Sequence, residues 1–108
     1  MPNSKYKLRY LPLFYEDLNE KVEYIAFEKL NPTAAIKLVD AVEAAILERL
    51  PVAESFETYP SLFERKNPYY RIYVDNFIVF YVIIDAEGGQ IMEVRRFLYK
   101  GQDRDSMI

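Results

Sequence analysis

The sequence has neither cysteine nor histidine among its 108 residues. Without cysteine, disulfide bonds, thiolate metal sites and a cysteine nucleophile are all excluded. Without histidine, the commonest general base and the commonest metal ligand are both missing. No clustered Asp/Glu motif suggests a metal site built from carboxylates alone. We therefore expect neither a metal ion nor a cofactor.

Long apolar runs are also absent. The N-terminal residues, MPNSKYKLRY, contain no apolar core of the kind that a signal peptide needs. No segment approaches the ~18 consecutive apolar residues that indicate a membrane-spanning helix. The sequence therefore predicts a cytoplasmic protein that does not contact a membrane.

The length and the charge limit the organisation of the chain and its partners. A chain of 108 residues has the size of one domain, so residues 1–108 are expected to fold together. The formal net charge is −3. Proteins that wrap nucleic acid are usually basic overall, so any contact of this chain with nucleic acid would have to be local.

The first half of the chain predicts one strand and two helices. Apolar residues alternate with basic ones between Tyr6 and Tyr10, which is typical of a half-buried strand. From Leu13 to Leu30 the apolar residues recur at spacings of three and four, which predicts an amphipathic helix. Asn31 can cap a second helix, which begins with Pro32 and continues to about Leu50. The short connection predicts an antiparallel helical hairpin.

The second half predicts an antiparallel meander. Residues 51–68 read as a surface connection with three prolines. The remaining predicted elements are strands at Tyr69–Val74, Phe77–Ile84 and Ile91–Leu98, a two-residue turn at Asp75 and Asn76, and a loop at Asp85–Gly89. The order strand, helix, helix, three strands indicates an α+β domain with the helical hairpin on one face of a mainly antiparallel sheet.

Three segments carry a resemblance to a known family. They are KYKLRYLPLFYEDLNEKVEYI near the start, YYRIYVDNFIVFYVI in the meander and VRRFLYKGQD near the end. In this order and at this spacing they resemble the RelE/ParE superfamily, the toxins of bacterial toxin–antitoxin pairs. The resemblance covers nearly the whole chain and implies the same α+β fold.

The resemblance to RelE-like members implies a metal-independent endoribonuclease that cuts mRNA on the ribosome and inhibits translation. Such chemistry needs cations for the charge that develops on the phosphate, and a base and an acid for proton transfer. Arg71 and Arg96 match the catalytic arginine positions of the family, and Tyr99 matches a late Tyr/His position. The resemblance also places RNA contacts at basic residues. These are Arg65, Lys66 and Arg95.

Other functions remain open at this point. ParE-like members inhibit DNA gyrase without a nuclease site, and a non-toxic binding module of the same fold is a third reading. Gln102 stands where the family often has arginine, and this departure and the acidic composition count against the nuclease. In all three readings a cognate antitoxin is the expected protein partner, and a homodimer is a further expectation.

The candidate residues can also be interpreted as having purely structural roles. Arg71 could pair with an acid on a neighbouring strand. Arg95 and Arg96 are adjacent, so they are expected on opposite faces of a strand. The tyrosines of the meander are expected to pack in the core or at its rim rather than to stack on bases. They are Tyr69, Tyr70, Tyr73 and Tyr81.

Overall fold

A computed structural model describes residues 5–60 and 66–102 of the chain. It has the α+β fold that the sequence predicts, with two helices and one sheet of four strands. The strands are β1 (Tyr6–Tyr10), β2 (Tyr70–Val74), β3 (Phe77–Ala86) and β4 (Gly89–Tyr99), and the helices are α1 (Pro12–Glu23) and α2 (Pro32–Arg49).

The sheet has the strand order β1-β4-β3-β2. β1 runs parallel to β4, whereas the other neighbouring strands are antiparallel. The turn between β2 and β3 has the predicted two residues, and its positive φ (52°) falls on Asp75 rather than on Asn76. The predicted loop at Asp85–Gly89 is shorter in the structure, because β3 continues to Ala86, which pairs with Gly89 at the start of β4.

The helical hairpin differs from the prediction at the end of its first helix. α1 ends at Glu23, and a turn of the wider π-helix follows at Tyr24–Glu28. Leu30 then adopts a left-handed conformation (φ 52°) that reverses the chain. The predicted cap of α2 is confirmed, because the side-chain oxygen of Asn31 accepts a hydrogen bond from the Ala34 amide at 3.1 Å.

Apolar side chains are buried on both faces of the sheet. Phe14 of α1 and Val42 of α2 pack with Val79 and Phe97 in a core on the helical side. A second cluster lies on the opposite face and is formed by Tyr69, Ile78, Phe80, Val82 and Leu98. β3 contributes to both clusters, which agrees with the central position that its unbroken apolar run predicts.

The Asp17 carboxylate joins α1 to the part of β4 that β1 does not reach. β1 ends at Tyr10, which pairs with Val94. Farther along β4, Asp17 Oδ2 accepts hydrogen bonds from the Phe97 amide at 3.0 Å and from Arg96 Nε at 2.7 Å. Asp17 Oδ1 accepts a third from Arg96 Nη2 at 3.0 Å. A side chain of α1 thus replaces the hydrogen-bonding partner that a longer β1 would provide.

We predict that Asp17→Ala lowers the free energy of unfolding by about 3 kcal/mol, because it removes the carboxylate that pairs with the largely buried Arg96 guanidinium. Urea denaturation measures this loss. Glu23→Ala removes an exposed carboxylate from the same helix and is the matched control, with an expected effect below about 0.5 kcal/mol. Equal losses in the two variants would contradict the structural role of Asp17.

Candidate functional site: the helix-free face of the sheet

The face of the sheet opposite to α1 and α2, here called the helix-free face, concentrates positive charge. Tyr6, Leu8 and Tyr10 pack on the helical side, so the basic residues that alternate with them lie on the helix-free face. Within the described strands, and apart from Arg96, which pairs with Asp17, this face carries four cations and one carboxylate. They are Lys7, Arg9, Arg71 and Arg95, with Glu93 as the acid. The face is therefore locally basic in a protein of net charge −3.

Arg71 lies between two tyrosine rings on this face. Its guanidinium carbon is 5.2 Å from the ring centroid of Tyr59 and 5.8 Å from that of Tyr73, both cation–π distances. Its backbone carbonyl accepts a hydrogen bond from Arg49 Nη1 at 3.1 Å, which ties β2 to α2. Among the residues that the structure describes, no carboxylate pairs with Arg71. The alternative of an acid-paired Arg71 therefore finds no support in this part of the chain.

The tyrosines of the meander differ in their environments. Tyr69 and Tyr81 are buried, and Tyr70 stacks on Tyr81 with centroids 5.2 Å apart, as expected of packing residues. Tyr73 is 57% exposed, so of the two predicted positions, the core and its rim, the core is excluded. β2 is an edge strand of the sheet, and the side chain of Tyr73 lies next to Arg71 and is open to solvent. Tyr59, from the connection before β2, packs its ring edge-on against Phe80 at 5.3 Å.

Glu93 is almost fully buried between two arginines. Its carboxylate accepts hydrogen bonds from Arg95 Nε at 2.7 Å and from Arg9 Nε at 2.8 Å. Burial alone would raise the pKa of Glu93, but the hydrogen bonds and charges of Arg95 and Arg9 outweigh it and hold the pKa below its ordinary value. Arg95 also lies 5.9 Å from the ring centroid of Tyr69. Arg95, which the sequence predicts to bind RNA, thus lies on the helix-free face, but it forms an ion pair with Glu93.

Arg96 shares a row across the sheet with Arg71, because both residues pair with Phe80, but its side chain is bound by Asp17 of α1. Phe80 pairs with Arg96 and Tyr81 pairs with Val94, so Arg95 is an extra residue in β4. The side chain of Arg96 is only 12% exposed and pairs with Asp17 of α1. The hydrogen bond with Asp17 raises the pKa of Arg96 above its ordinary value. Two guanidinium nitrogens of Arg96, Nε and Nη2, thus form a bidentate pair with the Asp17 carboxylate.

Tyr99 lies on the helical side of the sheet. Its ring meets that of Phe77 edge-on at 5.9 Å, and Phe77 in turn stacks on Phe97 of the helix-side core at 5.1 Å. Together with Tyr24 and Lys29 it lines an open groove of about 470 Å³. Arg71 and Tyr99 are thus on opposite faces, and the structure does not gather the three predicted catalytic residues into one site.

The two remaining predicted RNA contacts are less informative. Lys66 is exposed and lies shortly before β2. Arg65 is outside the described residues.

The structure adds Tyr59 and Glu93 to the residues that define this face. Glu93 had a signal in the sequence, since it is the one acid inside the apolar and basic run IMEVRRFL. Tyr59 had none, because it belongs to an irregular connection whose path no periodicity predicts. Its position follows from the hydrogen bond that its amide donates to the Tyr69 carbonyl at 2.5 Å.

Comparison with known proteins gives no assignment for this site. No protein-family model matches the sequence, and a search of curated proteins finds no significant relative. Within residues 5–60 and 66–102, no three potential metal-ligating side chains form a cluster. No helix in the same ranges is both long and apolar enough to cross a membrane.

We predict that the stabilising effect of Glu93 depends on pH in a defined direction. Because its pKa is lowered in the folded state, its ion pairs stabilise the protein above the unfolded pKa, near 4.5, and this contribution is lost as the pH falls through the folded value. At pH 7, Glu93→Gln should lower the free energy of unfolding by about 2 kcal/mol. Denaturation across the acid range tests this, and a difference from the unchanged protein that is independent of pH would contradict it.

Proposed function

We propose that the protein is a cytoplasmic toxin of a bacterial toxin–antitoxin pair, of the RelE/ParE kind, that inhibits translation by binding RNA at the helix-free face. Its activity would be neutralised by a cognate antitoxin. The three sequence segments that resemble the family support this proposal, as does the strand-helix-helix-three-strand order. The observation that carries the choice of surface is Arg71, a cation without a described acidic partner on a locally basic face.

Arg71 has the chemistry that an RNA backbone requires. A guanidinium presents a planar set of N–H donors that matches two phosphate oxygens at once. The cation–π contacts with Tyr59 and Tyr73 orient it but use none of its N–H donors for a carboxylate. Lys7 and Arg9 of β1 extend the positive potential of the same face, which favours the approach of a polyanion.

The geometry favours binding over an RNA cleavage reaction shared by Arg71, Arg96 and Tyr99. A phosphate bound at Arg71 lies on the face opposite to Tyr99, which packs on Phe77. Arg96 Nε and Nη2 are bound to Asp17, so this fork of the guanidinium is not available to a phosphate. In the proposed function, Arg71 therefore holds the RNA, and Arg96 supports the fold.

A second candidate is a ParE-like inhibitor of DNA gyrase, which needs no nuclease residues. The pairing of Arg96 with Asp17 and the position of Tyr99 on the helical side favour this alternative specifically. In that case Arg71 and Tyr73 would contact a protein surface rather than RNA, since exposed arginine and tyrosine are both frequent at protein interfaces.

We predict that induction of this chain without its antitoxin arrests bacterial growth and that Arg71→Ala relieves the arrest. The cause would be loss of the cation that binds phosphate, and colony counts after induction measure the effect. Lys37→Ala, which removes one exposed positive charge from α2, is the matched control and should remain toxic. Undiminished toxicity of a stably expressed Arg71→Ala variant would reject the assignment of this surface.

The target can be identified by measuring whether protein synthesis or DNA synthesis stops first after induction. Under the proposed function, incorporation of labelled amino acids should fall before incorporation of labelled thymidine. If DNA synthesis falls first while protein synthesis continues, gyrase inhibition replaces the proposed function. If neither falls after induction of a soluble protein, the protein is not a toxin.

A further inference from the structure

Tyr73 is an exposed aromatic residue on a strand where its neighbours are buried. Its side chain is 57% exposed, whereas Ile72 and Val74 on either side are 6% and 7% exposed. A tyrosine in this position exposes much of a large apolar ring to solvent. The ring is therefore accessible to a ligand that approaches the helix-free face.

The ring of Tyr73 stands beside a cation that is held in place from its other side. The Arg71 guanidinium lies 5.8 Å from the Tyr73 centroid and 5.2 Å from that of Tyr59. Tyr59 is fixed in turn by its edge-on contact with Phe80, which is fully buried. The order from the interior to the solvent is thus a buried ring, a half-buried ring, a guanidinium and an exposed ring.

An exposed ring beside a guanidinium matches the repeating chemistry of a single nucleic-acid strand. Unpaired bases stack on aromatic side chains, while the adjacent phosphates bind cations. A duplex offers its phosphates in the same way, but its bases are already stacked on each other and cannot lie on a side chain without being extruded. Arg71 alone therefore does not discriminate between the two forms, whereas Tyr73 does.

We infer that Tyr73 is a stacking platform that receives an unpaired base while Arg71 binds the phosphate next to it, so that the helix-free face selects single-stranded over double-stranded RNA. This inference rests on the proposed RNA target and adds to it a residue that determines specificity. The phenol hydroxyl has no part in the contact, because stacking requires the ring alone.

Fluorescence anisotropy with a labelled single-stranded oligoribonucleotide, and with the blunt duplex made from it, tests the inference on the full-length protein. Tyr73→Ala should weaken binding of the single strand by about tenfold, the size of one base–aromatic stack, and leave binding of the duplex unchanged. Tyr73→Phe should bind the single strand as the unchanged protein does. Tyr24→Ala, which removes a similarly exposed tyrosine (52%) from the helical side, is the matched control and should have no effect.

Three results would overturn the inference. They are a Tyr73→Ala variant that binds the single strand with undiminished affinity, a Tyr73→Phe variant as weak as Tyr73→Ala, and an unchanged protein that does not prefer the single strand. Growth arrest separates this failure from that of the proposed function. If Arg71→Ala abolishes toxicity while Tyr73→Ala leaves both RNA affinity and toxicity intact, the platform is rejected and the proposed function stands.

Discussion

The fold depends on one carboxylate that is shared between a helix and a strand. Asp17 of α1 binds the Phe97 amide and the Arg96 guanidinium of β4 at the point where β1 no longer runs beside β4. A backbone N–H that is buried without a partner is costly, and so is a buried arginine without a counter-charge. Asp17 satisfies both groups at once and fixes how the helical hairpin lies against the sheet.

This interaction divides the arginines of the sheet by role. Arg96 is committed to Asp17, and Arg95 shares Glu93 with Arg9. Arg71 lies between two aromatic rings and has no acidic partner among the described residues. A protein with a net charge of −3 can therefore still present a local site for an anion, because its positive charge is concentrated on one face of the sheet.

The sequence predicts the elements of this fold better than it predicts the site. Period-two alternation predicts β1, and the Asn31–Pro32 pair predicts the start of α2, because both signals are local. The positions of the arginine side chains, in contrast, depend on contacts between segments that are distant in sequence. The extra residue Arg95 changes which side of β4 Arg96 faces, and the pairing of Arg96 with Asp17 joins residues far apart in sequence. No periodicity in either segment encodes that encounter.

The most direct test of the account compares Arg71→Met with Arg96→Met in one measurement, the free energy of unfolding from urea denaturation. Methionine keeps the length of the side chain and removes its charge in both variants. We predict that Arg71→Met changes the free energy of unfolding by less than about 0.5 kcal/mol and that Arg96→Met lowers it by about 3 kcal/mol. Equal losses, or a larger loss for Arg71→Met, would contradict the division between a structural arginine and one available for binding.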